Sequence, residues 1–237
     1  MTAYKAPIND IKFVMEDLLD IHGHYQKYPG YEDATPEVLD MVLSECARLC
    51  ETELAPINQS GDKEGCHWHE GSVTTPSGFK EAYQKFVEGG WQGISHPVEH
   101  DGQGLPPTLG LIRTEMIGTA NWSWAMCPGL SLGAMNTLIE HGSEEQKNTY
   151  LGKLTQGVWS GTLCLTEAQC GTDLGLIRTK AVPTDDGAYE ITGSKIFISA
   201  GEHDLTENII HIVLARLPDS PEGSRGISLF VVPKILV

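Results

Sequence analysis

Residues 163–173 place hydroxyl and carboxylate side chains at the point where a strand opens into a loop. The segment reads Leu-Cys-Leu-Thr-Glu-Ala-Gln-Cys-Gly-Thr-Asp. Thr166 and Thr172 offer hydroxyls, Glu167 and Asp173 offer carboxylates, and the loop leaves several backbone N–H groups free. Ligands usually bind to loops that rigid elements hold in place. The segment is therefore a candidate binding loop, and the alternative is that Thr166 and Asp173 only cap a turn.

The histidines and cysteines do not form a recognisable metal site. The metal-like clusters are Cys-His-Trp-His at residues 66–69, the pair His22 and His24, and the pair His96 and His100. None is joined by a second pair at the spacing of a zinc site, so we expect no metal. The six cysteines are too few and too scattered for a disulfide framework in a chain of 237 residues. Reduced thiols fit a cytosolic protein.

The charge and hydropathy of the chain exclude several kinds of partner. With 32 acidic and 16 basic side chains the net charge is -16, which opposes nonspecific binding to nucleic acid or to an anionic membrane surface. No apolar run approaches the roughly 20 residues that a membrane span needs. The first ten residues lack a signal-peptide core and an Arg-rich transit pattern. We therefore expect a cytoplasmic protein with no nucleic-acid partner and no membrane span.

The elements that must position the loop begin with a helical half. Apolar residues at helical spacing predict six helices, at about 11–21, 35–54, 77–89, 109–118, 124–139 and 143–154. Pro56 is expected to end the second helix, and residues 58–76 are expected to be a polar loop with one brief strand at 72–74. The last helix begins with the capping box Ser-Glu-Glu-Gln at 143–146.

From Val158 the pattern changes to that of strands. We predict strands at 159–165, 176–184, 189–199, 208–217 and 227–237. This order predicts an α+β fold in which a helical bundle domain, residues 1–157, is followed by a mostly antiparallel β-domain, residues 158–237. The final segment stops inside an apolar, strand-like run, so we expect the chain to be the amino-terminal portion of something longer.

The two halves and two motifs together resemble the acyl-CoA dehydrogenase family. The first motif is residues 163–173, and the second is Tyr-Glu-Ile-Thr-Gly-Ser-Lys-Ile-Phe-Ile-Ser-Ala-Gly at 189–201. The segment at 141–151 also resembles the family, so the resemblance covers nearly the whole chain. Residues 169–173 and 198–207 are most similar to bacterial members that act on 3-(methylthio)propanoyl-CoA. A place in fatty acid or dimethylsulfoniopropionate metabolism is implied.

The resemblance implies FAD bound in a cleft between a helical domain and the β-domain, with a second helical domain completing the site. Thr166 and Leu165 match positions that hydrogen-bond the pyrimidine edge of the flavin, where donors favour reduction. Ser199 matches a contact to the N5 side, Phe197 matches an aromatic covering the ring, and Thr172 matches a contact to the acyl-CoA. The implied cofactor-binding set is Leu163, Leu165, Thr166, Phe197, Ile198 and Ser199.

The sequence departs from the family pattern in two places. Residues 168–172 read Ala-Gln-Cys-Gly-Thr where the commoner run is Pro-Gly-Ala-Gly-Ser, so loop rigidity and ligand contacts are expected to differ. Phe197 replaces the usual Trp, which keeps the stacking face and loses the indole donor. The alternative for Phe197 and Ile198 is that they belong to a buried strand and bind nothing.

The implied chemistry is α,β-dehydrogenation of an acyl-CoA thioester. A carboxylate removes the α-proton while the β-hydride passes to the flavin. In the family that carboxylate lies in a carboxy-terminal helical domain, which we expect to lie outside this chain. We therefore assign no catalytic residue, and we expect the 237-residue chain alone to be inactive.

The implied partners are an acyl-CoA substrate, electron-transfer flavoprotein as acceptor, and further copies of the chain in a homodimer or homotetramer. Two alternatives remain open, which are a related flavoprotein of the oxidase or alkylation-response type and a non-catalytic scaffold of the same fold. Five basic residues in the strand half could bind CoA phosphates. These are Arg178, Lys180, Lys195, Arg216 and Arg225, for most of which a solvated strand end is the favoured role.

Overall fold

The computed structural model describes residues 4–237, in which a helical domain precedes a five-stranded sheet. The helices are α1 Ile8–Lys12, α2 Ile21–Tyr25, α3 Pro36–Leu49, α4 Ala55–Glu64, α5 Phe79–Glu88, α6 Pro107–Ala120, α7 Trp122–His141 and α8 Glu144–Gln156. The strands are β1 His67–His69, β2 Ser72–Thr74, β3 Trp159–Cys164, β4 Lys180–Pro183, β5 Tyr189–Thr192, β6 Asn208–Arg216 and β7 Ile227–Pro233. The α+β class is confirmed. No described helix is both long and apolar enough to cross a membrane.

Side-chain caps explain where three of the helices begin. Thr35 accepts a hydrogen bond from the Val38 N–H at the start of α3, and Pro36 occupies the first turn. The capping box predicted at the start of α8 is confirmed, because Ser143 and Gln146 bond each other's backbone N–H groups. Asn121 caps α7 through the Trp124 N–H. These local signals are the reason that the sequence locates these helices well.

The first two predicted helices differ from the structure in where they begin, break or end. The predicted helix at 11–21 is interrupted, because a π-helical turn at Phe13–Leu18 follows α1 and Asp20 adopts a φ of 45° before α2. The prediction that Pro56 ends the second helix is wrong. A π-helical turn at Cys50–Leu54 links α3 to α4, and Pro56 lies in the first turn of α4, where a proline needs no N–H donor.

The predicted polar loop at 58–76 is correspondingly shorter. Residues up to Glu64 belong to α4, and β1 and β2 then pair as an antiparallel hairpin. The brief strand predicted at 72–74 is confirmed as β2.

Helix α7 links the helical core to the sheet. Trp124, near its start, is buried against Phe86 and donates from Nε1 to the Phe79 carbonyl at 3.1 Å. Met135 and Leu138, near its end, pack in a cluster that includes Ile210 of the sheet. Between them α7 lies directly against β3, because a Cβ placed on Gly161 would come within 2.4 Å of the Ala134 side chain. The sheet therefore packs closely against α7.

The sheet is mixed, with antiparallel and parallel pairs in equal number. Strand β6 is its centre, pairing in parallel with β3 and β4 and antiparallel with β7, while β4 and β5 form an antiparallel hairpin. The prediction of a mostly antiparallel domain therefore misses the two parallel pairs. The domain boundary between residues 157 and 158 stays a prediction.

All five predicted strands are shorter in the structure, three of them by more than one residue. Strand β4 begins at Lys180 rather than at 176, β5 ends at Thr192 rather than at 199, and β7 ends at Pro233. Residues 193–201 lie outside the sheet, and Phe197 and Ala200 among them have φ values of 57° and 51°, which no strand accommodates. The second motif thus begins in β5 and continues, from residue 193, on a loop.

We predict that Asn121→Ala destabilises the fold more than Ser143→Ala does. Ser143 is an exposed cap, and its loss should cost about 1 kcal/mol. Asn121 is fully buried, caps α7 and also donates from Nδ2 to the Leu54 carbonyl at 3.1 Å. Its loss leaves buried groups unpaired and should cost about 2–3 kcal/mol of unfolding free energy. Urea denaturation of both variants checks this, and equal costs would contradict it.

Candidate functional site

The two sequence motifs meet in the structure through main-chain and side-chain contacts. The Ile196 N–H donates to the Thr166 carbonyl at 2.9 Å. Next to it, Lys195 donates from Nζ to the Leu165 carbonyl at 3.1 Å and to Glu167 Oε1 at 2.9 Å. The end of β3 and the loop after β5 are therefore joined over three consecutive residues of the first motif.

Glu167 is the centre of this junction. Its side chain is 4% exposed, and its carboxylate accepts from the N–H groups of Arg178 and Thr179, the Thr179 hydroxyl and Lys195. Burial by itself raises the pKa of Glu167. The hydrogen bonds, of which the one from the Thr179 hydroxyl has the largest effect, outweigh burial and lower the pKa to about 2. Glu167 is thus a fixed anion that ties three chain segments together and is unsuited to accept a proton.

Sequence reasoning did not give Glu167 or Lys195 this role. A solvated strand end is the predicted role for most of the five basic residues, and Lys195 is an exception because its side chain is 11% exposed and paired. Arg216 is a second exception. Its guanidinium donates to the carbonyl groups of Gly175, Ile177, Pro221 and Gly223. The available signals are a Glu at the end of an apolar strand and a Lys within the second motif.

The loop after Glu167 is a tight turn. Glu167 and Cys170 exchange backbone hydrogen bonds of 2.9 and 3.0 Å. Asp173 Oδ1 accepts from the Gly175 N–H at 3.1 Å, so the turn-capping alternative is correct for Asp173. Thr172 is exposed, and its hydroxyl makes no hydrogen bond within residues 4–237. Of the two residues proposed as caps, Thr166 makes no such side-chain bond among those residues.

The predicted cofactor-binding residues lie in the two segments that meet at the junction. Some of their hydroxyls lack a hydrogen-bond partner, and some of their apolar side chains are exposed. The hydroxyls of Thr166, half-buried, and Ser199, exposed, have no hydrogen-bond partner in the described part of the chain. Leu163 is 44% exposed at the end of β3, whereas Leu165 is half-buried. Phe197 is 88% exposed with a φ of 57°. Unused hydroxyls beside an uncovered ring are what a flat ligand with one polar edge requires.

A buried strand at Phe197 is excluded by this exposure. A positive φ is uncommon for a bulky aromatic residue and is a form of backbone strain. Ile198 is half-buried and lines a cavity of about 410 Å³ together with Cys164, His211 and Val232. The two neighbours in sequence therefore differ, since Ile198 faces a protein cavity and Phe197 faces outward.

The loop that carries Phe197 and Ser199 is fastened to both domains. His203 accepts from the Leu205 N–H at Nδ1 and lies 3.0 Å from Ser160 Oγ at Nε2, so Nε2 carries the proton and donates. Burial lowers the pKa of His203 to about 4, which keeps the ring neutral at pH 7. Asp204 accepts from both the N–H and the hydroxyl of Thr75, near the β1–β2 hairpin.

No metal site accompanies this arrangement in the part of the chain that the structure describes. Residues 4–237 contain no group of three or more His, Cys, Asp or Glu side chains placed to hold a metal ion.

Comparison with known proteins relates both halves of the chain to one family. Residues 36–158 match the family model described as acyl-CoA dehydrogenase, N-terminal domain, and residues 162–236 match acyl-CoA dehydrogenase, middle domain. The 3-methylmercaptopropionyl-CoA dehydrogenase of Ruegeria pomeroyi is 48% identical over 98% of this chain and 40% of its own length.

Two further relatives agree. A butyryl-CoA dehydrogenase of Syntrophomonas wolfei is 36% identical over 99% of this chain and 39% of its own length. The structure of butyryl-CoA dehydrogenase from Megasphaera elsdenii superposes with a TM-score of 0.70 at 26% identity, covering 84% of this chain and 49% of that one. The chain spans about 40% of the length of the curated relatives.

We predict that Glu167→Gln lowers the unfolding free energy at pH 7 by about 3 kcal/mol, because it leaves the Lys195 cation and several donors without their anion. The matched control is Glu190→Gln on the exposed side of β5, which should change stability by less than about 0.5 kcal/mol. Urea denaturation measures both. A Glu167→Gln cost below 1 kcal/mol would show that the junction is not a main source of stability.

The unfolding free energies of the wild type and of Glu167→Gln should depend differently on pH. The pKa of Glu167 is about 2 in the folded state and near 4.5 when unfolded, so its stabilisation is complete above about pH 4.5. That stabilisation, about 3 kcal/mol for a shift of this size, is lost as the pH falls from 4.5 towards 2. The stability gap between wild type and Glu167→Gln should therefore narrow over this range. A gap constant down to pH 2 would contradict the assignment.

Proposed function

The chain belongs to the acyl-CoA dehydrogenase family, and from this premise we propose that the whole protein catalyses the FAD-dependent α,β-dehydrogenation of an acyl-CoA thioester. The observation that supports the proposal most directly is the junction of the two motifs. It brings the free hydroxyls of Thr166 and Ser199 and the uncovered ring of Phe197 to neighbouring positions.

These residues fit a flavin. Thr166 would donate its hydroxyl to the polar pyrimidine edge, Ser199 would contact the N5 side, and Phe197 would cover one face of the ring system. The flavin, when bound, supplies the hydride acceptor of the reaction. Lys195 and Glu167 do not need to touch it, because their contacts to the backbone at 165–167 orient Thr166. Thr172, exposed and without a partner in the described residues, would contact the acyl-CoA.

None of the described carboxylates is proposed as the base that removes the α-proton. Glu167 is held as an anion by its donors, and the low pKa that they cause disfavours proton transfer to it. Glu202 is paired with Lys234 at 2.6 Å. The proposed role of residues 4–237 is to bind and orient cofactor and substrate.

Among substrates we favour 3-(methylthio)propanoyl-CoA, because the Ruegeria pomeroyi relative that bears the corresponding name is 48% identical to this chain. Short or medium acyl-CoA thioesters are the second choice. The proposed electron acceptor is electron-transfer flavoprotein, and the proposed assembly is a homodimer or homotetramer. Six cysteines without a disulfide among the described residues support a reducing compartment such as the cytoplasm.

The test is anaerobic bleaching of the flavin in the purified whole protein. We expect yellow protein with bound FAD, bleached faster by 3-(methylthio)propanoyl-CoA than by butanoyl-CoA or octanoyl-CoA. A protein that binds no flavin would indicate the non-catalytic scaffold, and a flavoprotein that none of the three thioesters bleaches would contradict the dehydrogenase assignment.

The Thr166→Val variant tests the site within the same experiment. Removing a hydrogen-bond donor from a polar edge that gains charge should slow bleaching at least about 10-fold. The matched control is Thr149→Val on the exposed side of α8, which should bleach at the wild-type rate. Equal rates for both variants would exclude Thr166 from the cofactor site.

A further inference from the structure

A groove lies on the β-domain where β4 pairs with β6, and the side chains of Arg178 and Lys180 that line it make no contact in the junction of the two motifs. It has a volume of about 720 Å³, within the range of roughly 300–1,000 Å³ that is typical of small-molecule sites. We call it the basic groove, and its lining includes Arg178, Lys180, Val182, Arg216, Leu217 and Pro218.

Two exposed cations line the basic groove. Arg178 lies two residues before β4, and Lys180 is the first residue of that strand. Thr179 between them is buried, whereas Arg178 and Lys180 are both exposed and both line the groove. The groove therefore presents two cationic side chains on one surface.

Neither cation is neutralised within residues 4–237. Arg178 and Lys180 form no ion pair with a described carboxylate, although acidic residues outnumber basic ones two to one in the sequence. Seven other lysines and arginines of the described chain do form such pairs with Asp or Glu. Nine of the sixteen lysines and arginines form no such pair within the described chain, so the lack of a partner is not distinctive by itself. An external anion is favoured here because Arg178 and Lys180 line the same groove.

The base of the basic groove is rigid. Arg216 is opposite Lys180 in the β4–β6 pairing, and its guanidinium is spread over four backbone carbonyls, including those of Gly175 and Gly223. The backbone of Arg178 is held as well, because its N–H donates to the Glu167 carboxylate at 2.8 Å. The two open side chains therefore extend from a fixed floor that itself carries positive charge.

An apolar wall stands beside the cations. Val182 is 48% exposed, and Leu217 and Pro218 line the same groove. An inorganic anion would bind the two cations and leave the apolar side chains of this wall exposed to water. A molecule with a diphosphate and a flat ring would use both, since arginine and lysine bind phosphoryl oxygens with charge-assisted hydrogen bonds and the ring covers apolar surface.

We propose that the basic groove binds the diphosphate of a nucleotide, with the phosphates on Arg178 and Lys180 and the ring against Val182, Leu217 and Pro218. Asp219 lines the groove too and repels the phosphates, which limits affinity. The proposal does not rest on the function proposed above, and ADP, the probe for its test, needs neither flavin nor thioester.

Calorimetric titration of the purified protein with ADP at low ionic strength tests the proposal. We expect the double variant Arg178→Gln/Lys180→Gln to weaken ADP binding at least 10-fold and Asp219→Asn to tighten it about 2- to 5-fold, since one change removes the attraction and the other removes a repulsion. All three side chains are exposed, so the fold should be unchanged. The charge-matched control is Lys63→Gln/Lys153→Gln on exposed positions of α4 and α8, which should bind ADP as the wild type does.

Four results would overturn the assignment. These are no binding of ADP by the wild type, equal binding by wild type and the groove variant, equal weakening in the control variant, and inorganic phosphate binding as tightly as ADP. The last result would show that the apolar wall contributes nothing and that no nucleotide is recognised.

Discussion

The ion pair between Glu167 and Lys195 is the contact on which the candidate site depends. The two residues are 28 positions apart, and their pairing brings the end of β3 against the loop that follows β5. Lys195 also holds the Leu165 carbonyl, while Glu167 also holds the backbone at 178 and 179. One buried carboxylate thus fixes the first motif, the second motif and the entrance to β4 relative to one another.

A buried ion pair is stabilising only when its remaining hydrogen-bonding capacity is used. Glu167 meets this condition because backbone N–H groups and the Thr179 hydroxyl complete its shell. The consequence for function is geometric. Thr166 lies next to Glu167 and Phe197 two residues after Lys195, so the pair sets the distance between residues proposed to contact opposite parts of one flavin. Side chains that touch no ligand can in this way determine the shape of a binding site.

Much of the helical half could be predicted because its signals are local. The caps at Thr35 and Ser143 and the helical periodicity of α5 and α8 depend on residues within one or two turns. The extension of α3 into α4 could not be predicted, because the π-helical turn that carries the chain past Pro56 leaves no pattern in the sequence. The parallel pairing of β6 with β3 joins residues about 50 positions apart, which no local pattern encodes.

The same distinction applies to the site. The residues proposed to bind the cofactor were identified by their motifs. The contacts that hold them were not, since His203 reaches Ser160 and Asp204 reaches Thr75 across long stretches of chain. The left-handed conformation of Phe197 likewise runs against its own preference, which favours strands.

The uncovered ring of Phe197 has a consequence for assembly. A fully exposed large apolar side chain forgoes about 1.5–3 kcal/mol that burial would provide. Any surface that covers the ring gains this free energy, whether it belongs to a ligand or to another protein molecule. A ligand and a second protein surface would exclude each other on this ring, because either one removes the same apolar area from water.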